Sequence, residues 1–143
     1  MNHQNILIEL NNILNKTDRL YCEISKSLEL SDNQGLILYY LFNHKNCTQN
    51  ELKNEIALPK QTINTILSKW IKDGYIDLVK TNRREKIIEF TEYGNDVLLP
   101  KAIRMQKLEL KALSLMNDDE INSMLKANLK YYQKLKEILD YED

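Results

Sequence analysis

The sequence predicts a mainly α protein carrying one small two-stranded β element, and three observations lead there. Only three glycines and two prolines occur in 143 residues, against abundant Leu, Ile, Lys, Glu and Asn, which is the composition of long helices with few irregular loops. Apolar residues recur three and four positions apart along most of the chain, the spacing of a buried helix face. Tyr75 to Val79 and Lys86 to Phe90 are instead rich in β-branched and aromatic residues and flank a polar turn, as the two arms of a hairpin do. A chain of this length buries roughly 70% of its unfolded surface, enough for one core, so a single domain over 1–143 is expected.

Taken in order, Ile6, Leu7, Leu10, Ile13, Leu14, Leu20 and Ile24 lie at helical spacing and predict a long first helix. In Thr48-Gln-Asn-Glu51 a hydroxyl and a carboxylate three residues apart can satisfy each other's orphan backbone N–H groups, so a helix starts near Thr48. It is short, turns Leu52, Ile56 and Leu58 inward, and is followed by Pro59, whose fixed φ and missing N–H suit the first turn of another helix. In that helix Ile63, Ile66, Leu67, Trp70 and Ile71 form one apolar stripe. Its opposite face carries Lys60, Gln61, Asn64, Thr65 and Ser68, side chains of the kind that reach base edges and phosphates in a major groove. Gly74 is the expected C-terminal stop, and the hairpin after it bears Lys80, Arg83, Arg84 and Lys86 around its turn. Helix, turn, helix, basic hairpin is the order of a winged helix-turn-helix, so duplex DNA is the first partner to consider.

The flanks carry further helical tracts. Val97, Leu98, Ile103, Leu108, Leu110, Leu113 and Leu115 form one, and Ile121, Met124, Leu125, Leu129, Tyr132, Leu135, Ile138 and Leu139 another. Together with the first helix they hold more apolar surface than a small winged-helix core can cover, so some of it faces a partner. Asp118-Asp119-Glu120 read as acids of a first helical turn, favoured by the helix dipole.

Charge supports the nucleic-acid reading only when examined locally. The chain's net charge is −1, yet residues 60–86 hold seven basic side chains (Lys60, Lys69, Lys72, Lys80, Arg83, Arg84, Lys86) against Asp73, Asp77 and Glu85. A local excess of this kind steers an anionic polymer to one face, because fields are screened beyond roughly 8 Å at physiological salt.

These segments resemble the MarR family of bacterial transcription regulators. Thr48-Gln-Asn-Glu-Leu52 resembles the family's helix-turn-helix entry, Thr62-Ile63-Asn64 its Thr-Val-Thr recognition core and Asp73-Gly74-Tyr75-Ile76 the turn into its wing. Asn82-Arg83-Arg84 falls on its Asp-Arg-Arg, and Phe90-Thr91-Glu92-Tyr93-Gly94 on its Leu-Thr-x-x-Gly. Leu30-Ser31-Asp32-Asn33-Gln34 and Asn117-Asp118-Asp119-Glu120 resemble the starts of its second and last helices. Three positions depart from the pattern. The wing loop looks about three residues shorter than is common, Asn82 stands where an aspartate usually orients the wing arginine, and Thr65 stands where many members carry an arginine.

The resemblance implies a homodimer held by helices within about 1–30 and 95–143, with about 31–94 as the DNA-binding lobe. Two recognition helices would then lie about one DNA turn apart, roughly 34 Å, on a pseudo-palindromic operator. Gln61, Thr62, Asn64 and Thr65 are the expected base-edge contacts, Lys60, Ser68 and Lys69 the phosphate contacts, and Lys80, Asn82, Arg83, Arg84 and Lys86 the wing contacts. Repression and release by a small aromatic or phenolic effector are also expected from the resemblance, with Arg19, Tyr21, Tyr39, Tyr40 and His44 as candidate effector residues. Tyr39 and Tyr40 equally fit simple packing of their helix. Cys22 is the candidate redox thiol, although free cysteine more often serves as a small buried hydrophobe.

Other classes find little in the chain. His3 and His44 do not stand at metal-ligand spacing with Cys22 or Cys47, and neither a Gly-rich phosphate loop nor a nucleophile elbow is present, so neither an enzyme nor a resident cofactor is expected. No apolar run approaches the roughly 20 residues of a membrane span, and the start Met1-Asn-His-Gln-Asn lacks the pattern of an export signal. A cytoplasmic protein with reduced thiols is expected. The alternative to a regulator is a winged-helix module that binds another protein without reading DNA sequence.

Overall fold

The computed structural model describes residues 1–142, in the order α1 (His3–Ser27), α2 (Asp32–Asn43), α3 (Gln49–Glu55), α4 (Lys60–Lys72), β1 (Ile76–Val79), β2 (Ile87–Phe90), α5 (Glu92–Val97), α6 (Leu99–Ser114) and α7 (Asp118–Glu142). The mainly α architecture with a two-stranded wing is therefore as the sequence predicts. The chain forms two compact units, one spanning Met1–Met105 and one beginning at Gln106.

Local signals start and stop the elements of the first unit. Ser31 caps α2 through its hydroxyl, which accepts from Gln34 N, while the Gln34 side chain accepts from Ser31 N. Thr48 and Glu51 repeat this reciprocal arrangement at α3, at 3.1 and 3.0 Å. Pro59 occupies the N-cap of α4, which no side chain caps. Gly74 ends that helix at φ 82°, a left-handed conformation that costs glycine nothing. The tract from Val97 to Leu115 is not one helix: it breaks at Leu98, the C-cap of α5. Pro100 lies just beyond, and its missing N–H and its ring are incompatible with a helix continuing through that turn.

The core lies in the first unit. Ile37 and Leu38 of α2, Leu52 of α3, Ile63 of α4 and Ile76 of β1 are fully buried, with Trp70 and Leu67 of α4 beside them in one cluster. Each such side chain contributes on the order of 1.5–3 kcal/mol by leaving water. The helix-turn-helix and the hairpin are therefore fixed to one another by a shared interior. β1 and β2 pair antiparallel with Ile76 opposite Phe90 and Val79 opposite Ile87. A third, one-residue strand joins them: Thr48 bridges to Ile87, and Ile88 N donates to Cys47 O at 2.7 Å. The sequence predicted a hairpin alone.

A second junction fixes the exit from the wing. The Thr91 hydroxyl donates to Gly74 O at 2.5 Å and accepts from Gly94 N at 2.9 Å, capping α5 while holding the end of α4. Gly94 is required there, since a Cβ would lie 1.9 Å from the Tyr75 carbonyl oxygen.

In the second unit, Asn117 and Glu120 form a further reciprocal cap at the start of α7, at 2.9 and 3.0 Å, with Asp118, Asp119 and Glu120 in its first turn. None of the described residues of α7 is buried. Among the described residues no helix is long and apolar enough to cross a membrane.

Candidate nucleic-acid interface

α4 is held from behind by Ile63, Leu67 and Trp70, which leaves Lys60, Gln61, Thr65, Ser68 and Lys69 exposed and Thr62 and Asn64 half-buried at the margin. The sequence-predicted contact residues of this helix thus share one side of it. Two of them are already engaged within the helix. The Thr65 hydroxyl donates to Gln61 O at 2.9 Å, and Lys69 Nζ pairs with Asp73 at 3.2 Å. That ion pair is exposed and contributes little to stability.

The loop between the two strands, residues 80–86, presents Lys80, Asn82, Arg83, Arg84, Glu85 and Lys86, all exposed. Its two arginines differ sharply. Among the described residues Lys60, Lys72, Lys80, Arg84 and Lys86 make no ion pair, whereas Arg83 holds two partners. Its guanidinium forms a bidentate ion pair with Glu51 and donates through Nη1 to Asn46 O at 2.7 Å. Asn50 Nδ2 adds a contact to Glu85 Oε1 at 2.5 Å. The Arg83 guanidinium and the Thr48 amide hold the Glu51 carboxyl below the usual carboxylate range, and Glu51 in turn pushes the Arg83 pKa up. Sequence reasoning missed this junction. The available signal was that Glu51's capping bond to Thr48 leaves one carboxylate oxygen unused, but nothing local names the partner.

The candidate effector residues are not gathered in one place. Arg19 lines a recess of about 880 Å³ with Cys22 and Asp32. Tyr40 and His44 line another, of about 440 Å³, with Cys47, Glu51 and Arg83. Tyr39 stacks on Phe42 at 6.3 Å, Tyr40 stacks on His44 at 4.0 Å, and Tyr21 is exposed on α1. A recess of about 520 Å³ lined by Phe42, Lys45, Ile88 and Phe90 was not anticipated. Cys22 is half-buried, and a hydrogen bond to Asp32, followed by desolvation, raises its pKa, which disfavours the thiolate that oxidants attack. Burial pushes the Cys47 thiol up to about 11. Among the described residues no group of His, Cys, Asp and Glu could hold a metal ion.

Comparison with known proteins agrees with this geometry. Residues 28–85, which run from the end of α1 to the wing loop, match the family model described as MarR family. The chain is 27% identical over 88 residues to the HTH-type transcriptional regulator BilQ of Clostridioides difficile, a match covering 59% of this chain and 60% of that protein. NMB1585, a MarR family regulator from Neisseria meningitidis, shares the fold with a TM-score of 0.78 at 22% identity, covering 99% of each chain. Staphylococcus aureus MepR in its DNA complex shares it with a TM-score of 0.62 at 20% identity, over 89% of this chain and 94% of that one. The matched winged helix-turn-helix, and the fold that surrounds it, make this chain similar to regulators of the MarR family.

Proposed function

We propose that this protein is a sequence-specific, duplex-DNA-binding transcription regulator that acts as a homodimeric repressor. The observation that carries the reading is α4: one side is locked into the core, and the other offers a row of hydrogen-bonding side chains next to a basic loop. In this reading Gln61, Thr62, Asn64 and Thr65 approach base edges, Lys60, Ser68 and Lys69 approach phosphates, and Lys80, Arg84 and Lys86 contact the flanking backbone or minor groove. The DNA complex of MepR, which has the same fold, supports a duplex as the partner.

The proposed dimer is supported by uncovered apolar surface. On α1, Ile6, Leu10, Ile13 and Leu20 are 45%, 38%, 59% and 58% exposed, and on α7 Leu125, Leu129 and Ile138 are 69%, 53% and 55% exposed. Apolar rows of this length meet a partner rather than water, and a second copy provides the two-fold symmetry that a pseudo-palindromic operator requires. A small aromatic or phenolic effector enters this reading as a ligand that lowers operator affinity.

Selection of bound duplexes from a random library at physiological salt tests the proposal. Enrichment of a two-fold motif with half-sites about 10 base pairs apart is the expected result. Weak, indiscriminate binding together with a tight protein partner would replace it with the interaction-module reading.

A further inference from the structure

We propose that Arg83 is a positioning residue that latches the wing onto the start of α3, leaving Arg84 as the arginine the wing presents to DNA. This rests on the DNA-binding reading above, and it reassigns a residue that the sequence led us to expect as a direct contact.

Three observations point the same way. First, the Arg83 guanidinium already holds two acceptors on separate segments, the Glu51 carboxylate and the Asn46 carbonyl, which lie 32 and 37 residues away in sequence. Reaching into a groove would break both contacts. Second, Glu51 is itself fixed, because Oε2 accepts from Thr48 N at 3.0 Å and α3 carries buried Leu52. The anchor is therefore part of the helix-turn-helix and not a mobile surface carboxylate. Third, a separate contact joins the same two segments, since Asn50 Nδ2 of α3 donates to Glu85 Oε1 of the loop at 2.5 Å. A planar fork that spans a carboxylate and a carbonyl is a geometry for arginine, and a lysine ammonium would not reproduce it.

The latch lies beyond the backbone bridge at Thr48 and Ile87, which holds only the base of the wing. Its effect is on the loop that carries Arg84 and Lys86. With the loop held, those charges stand at a fixed offset from α4. Without it, they must be ordered at the moment of binding.

The test compares the full-length protein with Arg83→Ala, Arg83→Lys, Glu51→Gln and the Arg83→Ala/Glu51→Gln pair. Glutamine retains the capping bond to Thr48, so Glu51→Gln keeps α3 while removing the charge. Hydrogen exchange of the wing amides in the DNA-free protein is expected to accelerate in all four. Affinity for the selected duplex is expected to fall roughly fivefold in Arg83→Ala and in Glu51→Gln, with the pair no worse than either alone. The salt dependence should keep its slope, whereas loss of a direct charge contact lowers it by about 1. Unchanged exchange in Arg83→Ala and Glu51→Gln would overturn the latch. So would tighter DNA binding by Glu51→Gln combined with a reduced slope in Arg83→Ala, the pattern of an arginine freed to touch DNA. If the unaltered protein shows no sequence preference, the DNA reading fails by itself and the exchange data still decide the latch.

Discussion

The winged-helix lobe and the last helix solve opposite problems. In the lobe, α2, α3, α4 and the hairpin bury Ile37, Leu38, Leu52, Ile63 and Ile76 completely. α7 spans 25 residues without one buried side chain, although Leu125, Leu129, Leu135, Ile138 and Leu139 recur along it. One region has its interior within its own sequence, and the other leaves its apolar rows uncovered. In the proposed dimer, structural self-sufficiency and assembly are thus divided along the chain, and each can be disturbed separately.

The largest effect is expected at α7. Leu125→Glu combined with Leu129→Glu should turn a dimer into a monomer in sedimentation velocity and lower operator affinity by more than about a hundredfold, since the second half-site is no longer tethered. The lobe's own fold should survive, as seen in unchanged near-ultraviolet dichroism of Trp70. Retention of the dimer would break the comparison.

In the lobe, Gly94→Ala should cost about 3 kcal/mol or more by denaturant titration, because a methyl group cannot share space with the Tyr75 carbonyl. A loss below about 1 kcal/mol would mean that the junction between β1 and α5 yields easily. Asn64→Ala touches neither interior nor assembly. It should relax base preference by about 1–3 kcal/mol while leaving stability nearly unchanged, and equal losses on operator and random duplex would remove Asn64 from the reading face.

The smallest effect concerns pH. The Cys47 pKa is raised in the folded state from the ordinary 9.0 to about 11, so folding favours the protonated thiol. Its contribution is fully present below the unfolded value and is lost as pH rises from about 9 through about 11. Stability of the lobe should therefore decline over that window, and Cys47→Ala should flatten this part of the profile. An identical alkaline decline in Cys47→Ala would assign the effect to other groups.

Much of this organisation is legible in the sequence because its causes are local. Thr48 and Glu51, Ser31 and Gln34, Pro59 and Gly74 each act within four residues, and the structure uses every one at a helix boundary. The stripe of α4 is equally plain, since Ile63, Leu67 and Trp70 lie on one side of a helix by arithmetic alone. What sequence could not give is the pairing of distant segments. Glu51 and Arg83, or Thr48 and Ile87, meet only after the core has placed α3 beside β2. The dispersal of the effector candidates has a related cause. Tyr39 and Tyr40 are neighbours in sequence but about 100° apart around a helix. Each therefore finds its own partner, Phe42 for one and His44 for the other.

The hydrogen bond from the Thr65 hydroxyl to Gln61 O narrows what that position can read. In the proposed DNA complex, with its proton committed to the helix, the side chain faces the groove with lone pairs and a methyl group. It suits the exocyclic amino groups of adenine or cytosine, or the methyl of thymine, and has no donor for guanine O6 or N7. An arginine there would make guanine the natural choice. A half-site recognised by this chain should accordingly disfavour guanine opposite Thr65.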